Sequence, residues 1–107
     1  MAMITDMRHF LGEDGVLYEP LPRPALGLAF FQGSIVAWVS MCSRLPNYPH
    51  TNVPCRRRTA RTPCVGEILA VLDPSTEAIH WHCPICGDDG LISGWEGTPW
   101  DRRTPAA

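Results

Sequence analysis

The sequence contains no lysine: all nine basic residues are arginine, and that absence alone carries no functional weight. It also lacks a surplus of charge. A net charge of −2 argues against a basic nucleic-acid coat protein and against an acidic tail. The N-terminal stretch, residues 1–11, has no apolar core and no small-residue cleavage site of the secretory kind, so a reducing, cytoplasmic setting is expected. No internal repeat is visible. Nothing resembles a Ser-His-Asp triad, a phosphate-binding loop or a paired-carboxylate site, which leaves those enzyme classes without a motif.

What is present fits one domain over residues 1–107, with eleven prolines that imply many turns. A chain this short is helped by a staple such as a metal or an oligomer interface. It divides into 1–50, a hairpin plus an apolar helix; 51–101, a cysteine-bearing sheet; and 102–107, a tail. Arg8 and its successors, the Gly12-Glu13-Asp14-Gly15 turn, and Val16 to Tyr18 predict the N-terminal hairpin. Residues 25–43 carry no charge. Leu28, Phe31, Ile35, Trp38, Val39 and Cys42 recur at helical spacing, and a second stripe holds Ala29, Gly33 and Ala37, with Ser40 beside it. Three readings of this helix compete: a core helix, a homodimer contact through the small-residue stripe, and a membrane span. Gln32, three serines and two glycines weaken the last.

The remaining strands form a predicted antiparallel hairpin, 66–72 with 78–83, and a short third strand at Leu91-Ile92. Ile79, Trp81 and Cys83 alternate with His80 and His82, which therefore point the other way.

Five cysteines are present. Cys83-Pro84-Ile85-Cys86-Gly87 has the spacing with which two thiolates grip one metal from a tight turn, the glycine taking the positive φ after the second ligand. Eighteen residues separate Cys64 from Cys83, within the two-knuckle zinc pattern. The first pair departs from that pattern, since eight residues lie between Cys55 and Cys64. Cys42 is the odd one out. Four sulfurs suit a closed, structural Zn²⁺ site. His80 and His82 are the alternative ligands, with His50 behind them. Iron is a rival ion, less suited to the wide first pair. An enzymatic alternative uses Cys83 and Cys86 in thiol redox chemistry, or His80 or His82 at an open zinc; the acidic, turn-like Gly87 to Gly90 argues against a stabilised thiolate.

Arg56, Arg57, Arg58 and Arg61 crowd the loop between Cys55 and Cys64. They could contact nucleic acid or a protein partner, or simply offset the negative charge of a tetrathiolate site; the second reading is favoured. Trp81 reads as core. Trp95 and Trp100, in glycine-rich turns, could be core or could form an aromatic platform for a partner.

The run Pro54-Cys55-Arg56-Arg57-Arg58, then Pro63-Cys64, then Ile79-His80-Trp81-His82-Cys83-Pro84-Ile85-Cys86-Gly87-Asp88, then Gly94-Trp95-Glu96-Gly97-Thr98-Pro99-Trp100-Asp101, resembles a family of small uncharacterised bacterial proteins. The knuckle itself resembles zinc ribbons. The family resemblance covers 54–101, and 22–40 more loosely; it implies a bacterial source but no activity. The zinc-ribbon resemblance implies a structural metal and a binding role. The expectation is thus an α+β domain: an N-terminal hairpin, one long apolar helix, and a zinc-ribbon-like antiparallel sheet of three or four strands, serving as a non-catalytic binding module.

Overall fold

A computed structural model of the chain describes residues 2–18, 20–41, 50–59 and 62–103. The fold is α+β. One helix, α1 (Arg23–Met41), lies on a five-stranded mixed sheet of order β1-β7-β6-β5-β2. The strands are β1 (Ala2–Asp6), β2 (His50–Pro54), β5 (Glu67–Leu72), β6 (Ile79–His82) and β7 (Asp89–Ser93). Two very short strands, β3 (Arg58–Thr59) and β4 (Thr62–Pro63), form a separate antiparallel ribbon.

The central hairpin is the one expected. β5 pairs antiparallel with β6, Ala70 opposite Trp81, and β6 with β7, Trp81 opposite Gly90. The β6 alternation is as read: Ile79 and Trp81 are buried, His80 and His82 only partly so. Ile68, Ala70, Ile79, Trp81 and Ile92 make the sheet's side of the core.

Two expectations are corrected. The sheet is mixed rather than antiparallel, because β1 joins β7 in parallel, Ala2 opposite Asp89 through Asp6 opposite Ser93. The N-terminal hairpin shrinks to a single bridge between Leu11 and Leu17. A 3₁₀ turn, Met7–Phe10, replaces its first strand. The physical reason is burial at a spacing of three: Met7 and Phe10 both enter the core, which a strand cannot achieve from one face. Asp6 caps this turn by accepting the Arg8 N–H at 3.0 Å.

The helix turns its small-residue stripe inward. Ala29, Gln32, Gly33, Ile35, Val36, Val39 and Ser40 are its buried residues. Leu28, Phe31 and Trp38 pack at the flank of the core, and Cys42 lies outside the described residues. Gly33 takes the indole of Trp100, with no room for a Cβ between them. The stripe offered as a dimer contact is therefore occupied from within the chain. By length and composition α1 could cross a membrane, and its inner line is spent on the sheet.

The segment after β7 straps this layer. The Trp95 indole N–H donates to the Glu77 carbonyl at 2.7 Å, and the Arg102 N–H donates to Ser40 Oγ at 2.8 Å. The Arg103 guanidinium lies 4.5 Å above the Trp95 ring and pairs with Asp101 at 2.8 Å. Arg102 and Arg103, assigned from sequence to a tail, are thus tied down.

Two predictions follow from this packing. Gly33→Ala drives a methyl into Trp100 and lowers stability by about 1–3 kcal/mol. Gly27→Ala, where an added Cβ meets only the tip of Arg56 at 4.0 Å, raises it by about 0.5–1 kcal/mol through helix propensity. Urea titrations of both variants check the opposite signs. Burial works against the charge of Asp101, yet the Arg103 guanidinium and the Gly97 and Arg103 N–H groups hold its carboxyl down to about 2. Its contribution is present above the unfolded value of about 4 and is lost as pH falls toward 2. In thermal unfolding, the destabilisation caused by Asp101→Asn should therefore be full near neutrality and vanish over that window.

Candidate metal centre

Two tight local structures deliver the four cysteines to one end of the sheet. The first is the β3–β4 ribbon, which folds the segment between Cys55 and Cys64 back on itself. The Cys64 N–H donates to the Arg57 carbonyl at 2.8 Å, and the Cys55 N–H to the Gly66 carbonyl at 2.9 Å. The eight-residue spacing that departs from a Cys-x-x-Cys knuckle is therefore closed by its own miniature hairpin. The second is the knuckle between β6 and β7. There the Gly87 N–H returns to the Cys83 carbonyl at 2.9 Å, with Gly87 at φ 79°, and the Cys83 N–H donates to the Asp88 carbonyl at 2.8 Å.

The sulfurs interleave. Cys55 Sγ stands 3.7 Å from Cys86 Sγ, and Cys64 Sγ stands 3.6 Å from Cys83 Sγ. All four lie within 4.8 Å of one another. Each loop gives one buried sulfur residue, Cys55 and Cys83, and one half-buried, Cys64 and Cys86. The cluster is placed for metal ligation.

The thiols sit in unequal environments. Burial pushes Cys55 up to about 12, against the pull of the Arg57 N–H. The Gly66 N–H pulls Cys64 down, but burial and the Cys83 and Cys86 thiols leave it raised. Burial also works to raise Cys83, yet the N–H groups of Cys86 and Ile85 and the Cys64 thiol bring it down to about 7. Here the sequence expectation is corrected: the turn does stabilise a thiolate, through backbone donors inside the knuckle rather than a helix terminus. Cys83 is thus favoured as a thiolate while Cys55 and Cys64 are held as thiols, and thiolates are the form that ligates a cation.

The arginines divide. Arg57 forms an ion pair with Asp88 at 3.6 Å, joining the first loop to the knuckle. Arg56 turns to α1 and stands 5.7 Å over the Phe31 ring. For Arg58 only the backbone is described, and Arg61 lies outside the described residues. His80 lies 3.8 Å from Asp73 at the other end of the hairpin, and neither His80 nor His82 belongs to the cysteine cluster. The side chain of His50 lies outside the description. Trp95 is fully buried and presents no free ring face to a partner; Trp100 is half-buried against Gly33. The aromatic-platform reading of Trp95 is corrected, because its ring fills the strap's own core.

Sequence reasoning missed Gly66. A Cβ there would overlap Cys83 Sγ and press on Ile85, so only glycine lets the two loops meet. Its N–H also donates to Cys64 Sγ at 3.4 Å. The signal was available: Cys64 and Cys86 are each followed closely by a glycine.

No protein-family profile, curated protein or solved structure matches this chain.

Gly66→Ala should separate the loops and weaken metal retention by at least about tenfold, while Gly87→Ala, with open space around its Cβ, carries only the milder penalty of a strained φ. Competition against a chromogenic chelator measures both.

Proposed function

We propose that this chain is a small zinc protein in which Cys55, Cys64, Cys83 and Cys86 hold one structural Zn²⁺, and that it acts as a non-catalytic binding module. The observation that carries the reading is the sulfur geometry. A tetrahedron with metal–sulfur bonds of about 2.3 Å has edges of about 3.8 Å, and the two close sulfur pairs stand at 3.6 and 3.7 Å. Four protein ligands fill a tetrahedral ion and leave no position for water or substrate, which is the structural class of zinc site. Two sulfur pairs from two β-turn loops, one a Cys-x-x-Cys-Gly knuckle, support a likeness to zinc ribbons at the site, set on a different sheet. Such an ion contributes on the order of 10–16 kcal/mol to folding, enough to decide whether a domain of this size is folded.

The loop arginines fit the same account. A tetrathiolate zinc centre carries a local charge near −2, and Arg57 with Asp88 forms a cross-brace beside it. Nucleic-acid contact through these arginines is the second reading, favoured by the exposure of Arg56 and Arg57. It requires salt-steep binding that Arg57→Ala and Arg58→Ala weaken.

Elemental analysis of the purified chain tests the zinc reading, with one zinc per chain expected. Cobalt substitution should yield the intense sulfur-to-metal absorption of a four-thiolate tetrahedron. Cys55→Ser and Cys64→Ser should each lose the metal and cooperative folding, whereas His80→Ala and His82→Ala should keep both. Retention of metal in both serine variants, or protection of only two thiols, would overturn the four-sulfur site and favour the thiol-redox or open-zinc alternative.

A further inference from the structure

Helix α1 and the loop after Cys55 enclose a cleft that the metal centre does not use. Its volume is about 370 Å³, in the lower part of the roughly 300–1,000 Å³ typical of small-molecule sites. Its walls are apolar: Leu28 and Phe31 from α1, Trp81 from β6 and Met3 from β1. Phe31 and Trp81 meet edge to face, ring centres 5.4 Å apart at 85°. The lining also includes Arg56, Arg57 and Asp88.

Two features of this cleft share one preference. Arg57 is satisfied by Asp88, which leaves Arg56 as a guanidinium with no ion pair to any described residue, held over the Phe31 ring. The first turn of α1, whose Pro24 also lines the cleft, contains no acidic residue to offset the positive end of the helix. The indole Nε1 of Trp81 packs on Gly90 of β7, away from solvent, so that Trp81 offers the cleft ring surface and no donor. The walls favour a flat apolar body.

The geometry points to a binding site for a small flat aromatic anion, a ring system bearing a carboxylate or a phosphate. Its ring lies against Leu28, Phe31 and Trp81, and its charge meets Arg56. The site rests on the zinc reading in one respect: the metal-held loop is what carries Arg56 to the cleft, so ligand and metal are coupled. An arginine that only offset thiolate charge would stack on Phe31 equally well, but would confer no preference for an anion over its neutral isostere.

The test uses the zinc-loaded, ¹⁵N-labelled full chain. It is titrated with 2-naphthoate against neutral 2-naphthamide, and with adenosine 5′-monophosphate against adenosine. Expected are NMR shift changes centred on Leu28, Phe31, Arg56 and the Trp81 indole N–H, with at least one anion binding about tenfold more tightly than its neutral partner. The better anion tells carboxylate from phosphate. Arg56→Gln should abolish the preference and Arg56→Lys restore part of it, while Arg8→Gln, outside the cleft, leaves it unchanged. Equal binding of anion and neutral probe, an unchanged preference in Arg56→Gln, shifts centred elsewhere, or no shift up to about 5 mM would overturn the site. Metal content measured on the same samples separates the two readings. Bound zinc without probe response overturns the cleft alone, and probe binding by a chain that holds no zinc overturns the zinc reading alone.

Discussion

The convergence of four sulfurs is the constraint on which the rest of this structure depends. Cys55 and Cys64 border the loop between β2 and β5, and Cys83 and Cys86 the turn between β6 and β7. Joining them fastens an edge strand, the central hairpin and the third strand at one end of the sheet. As thiols Cys55 and Cys83 are poorly matched, with Cys55 pushed up to about 12 and Cys83 brought down to about 7. A cation that ligated all four would have to displace the protons that burial favours on Cys55 and Cys64, and its binding would then be coupled to the fold of this end of the sheet.

Close approach is the second theme, and glycine is its means. Gly66 admits Cys83, Gly33 admits Trp100, and Gly90 admits the indole of Trp81 opposite it. In each case a large or essential side chain occupies the space a Cβ would need. A short chain with few large aliphatics can build a dense core this way, setting tryptophans on bare backbone rather than interdigitating many leucines.

Much of the fold was legible because its signals are local. The β5–β6 hairpin follows from the Asp73-to-Glu77 turn and from the alternation of Ile79, His80, Trp81 and His82. The knuckle follows from two cysteines, a proline and a glycine within five residues. The helix follows from an uncharged, periodic run, although it begins at Arg23 rather than at 25. β1 was not legible. Its five residues hold no alternation, and its partner β7 lies at the far end of the chain, paired in parallel. No local pattern announces a pairing of that separation. The 3₁₀ turn at Met7–Phe10 was hidden for a related reason: two core contacts outweighed a turn-and-strand pattern that would otherwise have made a hairpin.

The sequence by itself determined the Cys83–Cys86 knuckle, since two cysteines, a proline and a glycine within five residues make a tight turn, and it determined which face of β6 is buried, since side chains alternate with a period of two. Only the tertiary structure decided how the sulfurs pair across the two loops. It also decided that the helix's small-residue stripe serves Trp100 and the sheet, and that Arg56 and Arg57 part company, one to the Phe31 ring and one to Asp88. Those choices depend on distances between segments far apart in the chain, and such distances are set by the packing of the whole domain.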